Sequence, residues 1–103
     1  MKFLVEVQIS TDVGNATLKD GTMTEQLQKY LSDVKPEAVY FAAANGQRTI
    51  YLVLDMQNRD NLTEIVELLW LDWRAEIYFS PVMTAEDFEK AAPTLEKVIE
   101  ARK

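Results

Sequence analysis

The chain has 103 residues, 48% of them hydrophobic and 27% charged, the mix of an ordinary globular domain. Eleven Lys and Arg against seventeen Asp and Glu leave a net charge of -6, which disfavours nucleic acid and anionic membrane surfaces as partners, because both need clustered cations. The chain has neither Cys nor His, so disulfides, thiolate nucleophiles, iron–sulfur clusters, Ser-His-Asp triads and His-ligated metals are excluded.

The start, Met1 to Val5, is too short an apolar run before Glu6 for a signal peptide. No run approaches the roughly 20 apolar residues of a membrane span, so the expected location is the cytoplasm. Residues 2–9 alternate and predict a half-buried strand, with Phe3, Val5, Val7 and Ile9 on one side and Leu4, Glu6 and Gln8 on the other. Residues 10–21 hold Ser, Thr, Asp, Asn and two Gly, and read as a loop. Met23, Leu27, Tyr30, Leu31 and Val34 recur at helical spacing and predict a helix over 22–34, with Thr22 or Thr24 as N-cap and Pro36 as the stop.

Strands follow at 38–44 and 48–56, joined through Asn45-Gly46, whose residues both tolerate positive φ. The second of them is apolar on both faces and belongs in the middle of the sheet. A helix over 60–72 places Leu62, Ile65, Val66, Leu69 and Trp73 on one face, with Leu68 and Leu71 off it. Trp70 and Trp73 are expected to finish the core. Asp55, Asn58 and Asp60 are expected to end the strand and cap this helix. A fourth strand spans 75–80, ended by Pro81. Thr84-x-x-Asp87 resembles a capping box and opens a C-terminal helix over 84–102, in which Ala85, Phe88, Ala92, Leu95 and Ile99 keep phase across Pro93. The proline predicts a kink or two abutting helices.

The order β-α-β-β-α-β plus a terminal helix predicts an α+β, ferredoxin-like fold with an antiparallel sheet of order 4-1-3-2, as one unit over 1–103. Both core helices then lie on one face of the sheet, against Val39, Phe41, Ile50, Leu52, Leu54, Ile77 and Phe79 as well as the first strand's apolar side. Alternation assigns Leu4, Glu6, Gln8, Tyr40, Ala42, Tyr51, Val53, Asp55, Glu76, Tyr78 and Ser80 to the opposite face. Three of the four tyrosines and two glutamates share it, which suits a ligand cavity or a polar subunit interface.

The layout resembles the dimeric α+β barrel superfamily, and within it the muconolactone isomerase-like proteins. Met1-Lys2-Phe3-Leu4-Val5, Arg48-Thr49-Ile50-Tyr51 leading to Asp55, and Ala75-Glu76-Ile77-Tyr78-Phe79-Ser80-Pro81-Val82 carry the likeness. The resemblance implies a homodimer with a pocket between sheet and helices, expected to hold a small, mostly apolar organic molecule. Branches of the superfamily that use His for haem or for catalysis have no counterpart here. The activity the resemblance implies is a cofactor-free isomerisation or proton transfer.

Glu6 and Glu76 are the candidate acid–base residues, because two close carboxylates raise one another's pKa; the alternative is solvated glutamates paired with Lys2 or Arg48. Tyr40, Tyr51 and Tyr78 are candidate ligand contacts beside Gln8, able to hydrogen-bond a carbonyl or stack on a ring, or else to pack at an interface. Arg48 either clamps a substrate carboxylate or is an exposed hairpin cation. No metal site and no cofactor are expected. The rival reading is a regulatory or interaction module of ACT-like or purely structural type, with Leu68, Leu71 and the terminal helix as its contact surface.

Overall fold

The computed structural model describes residues 1–57 and 61–103. β1 (Lys2–Ile9) leads through α1 (Thr11–Lys19) and α2 (Thr22–Val34) to β2 (Ala38–Ala42). A single 3₁₀ turn, Ala44–Gly46, joins β2 to β3 (Arg48–Asp55). α3 (Asn61–Trp73), β4 (Glu76–Val82), α4 (Ala85–Lys90) and α5 (Ala92–Glu100) complete the chain. The four strands form one antiparallel sheet of order β2-β3-β1-β4. Read from its other edge this is the expected 4-1-3-2, and the α+β class is as expected.

The core lies between one face of the sheet and the helices. Val5, Val7 and Ile9 of β1 and Ile50, Leu52 and Leu54 of β3 meet Met23 and Tyr30 of α2 and Ile65, Val66, Leu69 and Trp73 of α3. Two polar side chains are satisfied on the way in. The Tyr30 hydroxyl donates to the Ile65 carbonyl at 2.8 Å, and the Trp73 indole N–H donates to Gln26 at 2.9 Å.

Several expectations change. Residues 11–19 are helical rather than a loop. The Ser10 side chain caps them by accepting from the Val13 amide, which offsets the weak helix propensity of Thr, Asp, Gly and Asn. The N-cap of α2 is Gly21 (φ 81°) rather than Thr22 or Thr24, and Asp20 before it accepts from the amide and hydroxyl of Thr22. Lys35 adopts a left-handed conformation (φ 51°) at the end of α2, just before Pro36. The 45–46 turn has positive φ at both Asn45 (55°) and Gly46 (76°), as their residue types suggested.

Pro81 lies inside β4 instead of ending it, since β4 is an edge strand and one of its sides needs no amide donor. Phe41 is on the core side but 63% exposed, because β2 is the opposite edge. Leu62 and Trp70 are also largely exposed, whereas Leu68 packs against the core. Asn58 and Asp60 lie outside the described residues.

The terminal segment is two helices that break at Ala91–Ala92, with Pro93 in the first turn of α5, where its missing N–H costs nothing. The capping box is present in both directions: Thr84 accepts from the Asp87 amide and Asp87 accepts from the Thr84 amide. Every residue from Met83 to Lys103 except Ala91 is exposed. The molecule is correspondingly long, 59 × 28 × 19 Å, with a radius of gyration of 17.2 Å, against about 13 Å for a compact domain of this length. α4 and α5 form an arm projecting from the body. Among the described residues no helix is long and apolar enough to cross a membrane.

Candidate functional site

The open face of the sheet brings the candidate residues into one row. Tyr40 stands opposite Tyr51, Tyr51 opposite Glu6, and Glu6 opposite Tyr78, so a single line crosses all four strands from β2 to β4. The next row is Ala42, Thr49, Gln8 and Glu76. The row on the other side is Ala38, Val53, Leu4 and Ser80. A polar line is thus bounded on one side by an aliphatic one. This follows from the two-residue period of the strands once their register is set.

Each glutamate accepts a tyrosine hydroxyl. Tyr51 donates to Glu6 at 2.8 Å, and Tyr78 donates to Glu76 at 2.8 Å. The first pair is cross-strand and half-buried. The second is formed by residues two apart on β4 and is exposed. Both phenols are held above the ordinary tyrosine range. The hydrogen bond to Glu6 raises Tyr51, with some help from burial. The bond to Glu76 and its charge raise Tyr78, and the charge of Glu6 adds to this. A phenolate beside a carboxylate is disfavoured, so both hydroxyls stay protonated donors through neutral pH.

Glu6 and Glu76 are not opposite one another. Glu76 faces Gln8, which puts it diagonal to Glu6, at the ~7–8 Å typical of such neighbours. Each carboxylate therefore meets a tyrosine rather than the other carboxylate. Gln8 is half-buried between Thr49 and Glu76.

Arg48 does not join this group. It pairs with Ile9 in register and so falls on the helix side of the sheet. There its side chain lies across Gly14 of α1, so close that a Cβ at that position would meet Nη1 at 2.7 Å and Cδ at 3.3 Å. Gly14 is buried beneath it. The packing explains a glycine in the middle of a helix, while Arg48 itself stays exposed at the start of β3, as the hairpin-cation alternative has it.

Thr49 is a member of the face that the sequence inventory omitted. It is 1% exposed, and its hydroxyl donates to the Gln47 carbonyl at 3.1 Å. Counting by two from Tyr51 finds it. Among the described residues, no group of three or more acidic side chains is placed to hold a metal ion. No family model matches the chain, and neither a curated protein nor a solved structure matches it.

Proposed function

We propose that this chain is a homodimeric small-molecule-binding protein of dimeric α+β barrel type, in which the open sheet face forms one wall of the ligand cavity. The supporting observation is the line Tyr40–Tyr51–Glu6–Tyr78, with Tyr51 bonded to Glu6 within it and Tyr78 to Glu76 in the next row, set beside aliphatic Leu4 and Val53. An apolar wall with a few convergent polar groups suits a small, mostly apolar organic molecule bearing a carbonyl or hydroxyl group. A ligand hydroxyl donates to the phenol oxygens, and a ligand carbonyl takes the proton of Tyr51 or Tyr78 only in exchange for its bond to the glutamate. Glu6 or Glu76 serves as the base if the bound molecule undergoes a cofactor-free isomerisation or proton transfer.

The test is a thermal-shift screen of small carbonyl and hydroxyl compounds against the wild type and Glu6→Gln. A ligand of this face raises the melting temperature of the wild type and loses most of that shift in the variant. Compounds that stabilise both proteins equally, or a screen without any stabilising compound, argue against the reading.

The second reading is a non-enzymatic interaction module. The exposed apolar side of the terminal arm favours it, since Phe88, Leu95, Val98 and Ile99 have no partner side chain in the core.

A further inference from the structure

The phenol donors of the open face are taken, and its carboxylate acceptors are not. The Tyr51 hydroxyl is bonded to Oε1 of Glu6 and the Tyr78 hydroxyl to Oε2 of Glu76, each at 2.8 Å. A carboxylate accepts at both oxygens, and the second oxygen of each accepts nothing among the described residues. Neither carboxylate takes part in an ion pair among the described residues. The nearby cations are committed elsewhere. The Met1 amine holds Asp55 at 3.0 Å and Lys2 holds Glu37 at 2.8 Å, while Arg48 falls on the helix side. The charges of Glu76 and Glu6 both bear on Tyr78, so the two carboxylates act on one stretch of the face.

What this face lacks is a positively charged donor. Its rings point the same way. Tyr40 and Tyr51 stand opposite one another, and Tyr78 follows beyond Glu6 in the same row. Tyr40 and Tyr78 are largely exposed, and aromatic rings attract organic cations through their negative faces. The aliphatic row of Leu4 and Val53 lies two residues along the strands from Glu6 and Tyr51, ~7 Å away. A homodimer sharpens the need. A two-fold interface presents the same surface from both copies, so a sheet-to-sheet pair turns two carboxylates from each copy toward one cavity. Like charges facing one another across an interface are unfavourable, and a bound cation relieves them.

We infer that the molecule held on this face is a small organic cation, a protonated amine on an apolar body, whose ammonium group bridges Glu6 and Glu76. This rests on the small-molecule reading above and deepens it by giving the ligand a charge. Two N–H bonds of ~2.7–2.9 Å, one to each carboxylate, link oxygens up to ~5.8 Å apart, which fits side chains on a diagonal of ~7–8 Å. The ammonium uses the open oxygens, so both tyrosine–glutamate bonds stay intact. The apolar body crosses the tyrosine row to reach Leu4 and Val53, and a hydroxyl on it donates to a phenol oxygen.

Paired probes isolate the charge. Tyramine is compared with tyrosol, and phenethylamine with phenethyl alcohol; each pair shares a skeleton and exchanges ammonium for hydroxyl. Dissociation constants are measured by titration calorimetry at neutral pH on full-length wild type, Glu6→Gln, Glu76→Gln and Glu89→Gln. Glutamine still accepts from a tyrosine but carries no charge, and the exposed Glu89 of α4 controls for the net charge of -6. The expected result is binding of each amine at least tenfold tighter than of its alcohol, a loss of at least tenfold in Glu6→Gln and in Glu76→Gln, and no change in Glu89→Gln. Glu76 is exposed on an edge strand, so its variant decides the matter if Glu6→Gln does not fold. Alcohols that bind as tightly as the amines and weaken in Glu6→Gln overturn the cation and leave the small-molecule reading standing. Amines weakened equally by all three variants are held by overall charge, which overturns it too. If no amine binds, the cation falls, and the screen of neutral compounds decides the small-molecule reading by itself. Sedimentation equilibrium with saturating tyramine separates the dimer from both: a wild type that stays at the 11.8 kDa of one chain overturns the homodimer, and the ratio of amine to alcohol affinity still decides the ligand class.

Discussion

Glu6 and Tyr51 show how much a single register sets. Two residues 45 apart in sequence are brought opposite each other by the β1–β3 pairing and joined by a 2.8 Å hydrogen bond. The bond raises the phenol's pKa in the folded state above its unfolded value of about 10. The stabilisation linked to Tyr51 is therefore complete below the unfolded pKa and disappears as pH rises through the folded one; the same sign holds for Tyr78. Absorbance-monitored titration is expected to show phenols ionising above pH 10 in the wild type, with Tyr51 moving back toward the ordinary value in Glu6→Gln. An unchanged titration in the variant would contradict the pairing. At the opposite side of the sheet, Arg48 over Gly14 yields a coupled prediction. Gly14→Ala adds up to ~1 kcal/mol of helix propensity but pushes against the guanidinium. The gain should emerge fully only in an Arg48→Ala background. Denaturant unfolding of the four proteins checks this, and strict additivity would count against the contact.

α3 sorts its apolar residues by depth, and the energetics should follow. Leu69 is 1% exposed and Leu71 77%. Leu69→Ala is expected to cost about 2–5 kcal/mol by opening a cavity, whereas Leu71→Ala should stay within ~0.5 kcal/mol; urea midpoints measure both. The same helix shows the limit of helical periodicity. The spacing that puts Leu69 and Trp73 inside is legible in the sequence. The exposure of Leu62 at one end is not, because it depends on how far the sheet extends beneath the helix. α1 was missed for a related reason. Its residues are turn formers by propensity, and the Ser10 cap and the cover of Arg48 decide in favour of a helix. In α4 the cap itself was legible. Thr84→Ala is expected to lower the helicity of the arm by circular dichroism while leaving the unfolding of the monomeric core, measured at low concentration, unchanged, since the core cluster contains no arm residue.

The whole molecule is a sheet with three helices on one face, an open second face and a projecting arm. If the chain is the homodimer proposed above, its melting temperature should rise with protein concentration, as mass action requires. A melting temperature independent of concentration across the dissociation range would speak against it. Composition and alternation by themselves determined the chemistry that is excluded, the α+β class and, but for Thr49, the membership of the tyrosine–glutamate face, because periods of two and of 3.6 residues are local properties of the chain; the sheet order was inferred from the succession of the elements. The tertiary structure alone decided that Glu6 and Glu76 each meet a tyrosine instead of one another, that Arg48 lies behind the sheet on Gly14, and that the last two helices stand clear of the body. Those outcomes depend on register, on which strands form the edges and on what each surface finds to pack against, and none of these is set by a residue's neighbours in sequence.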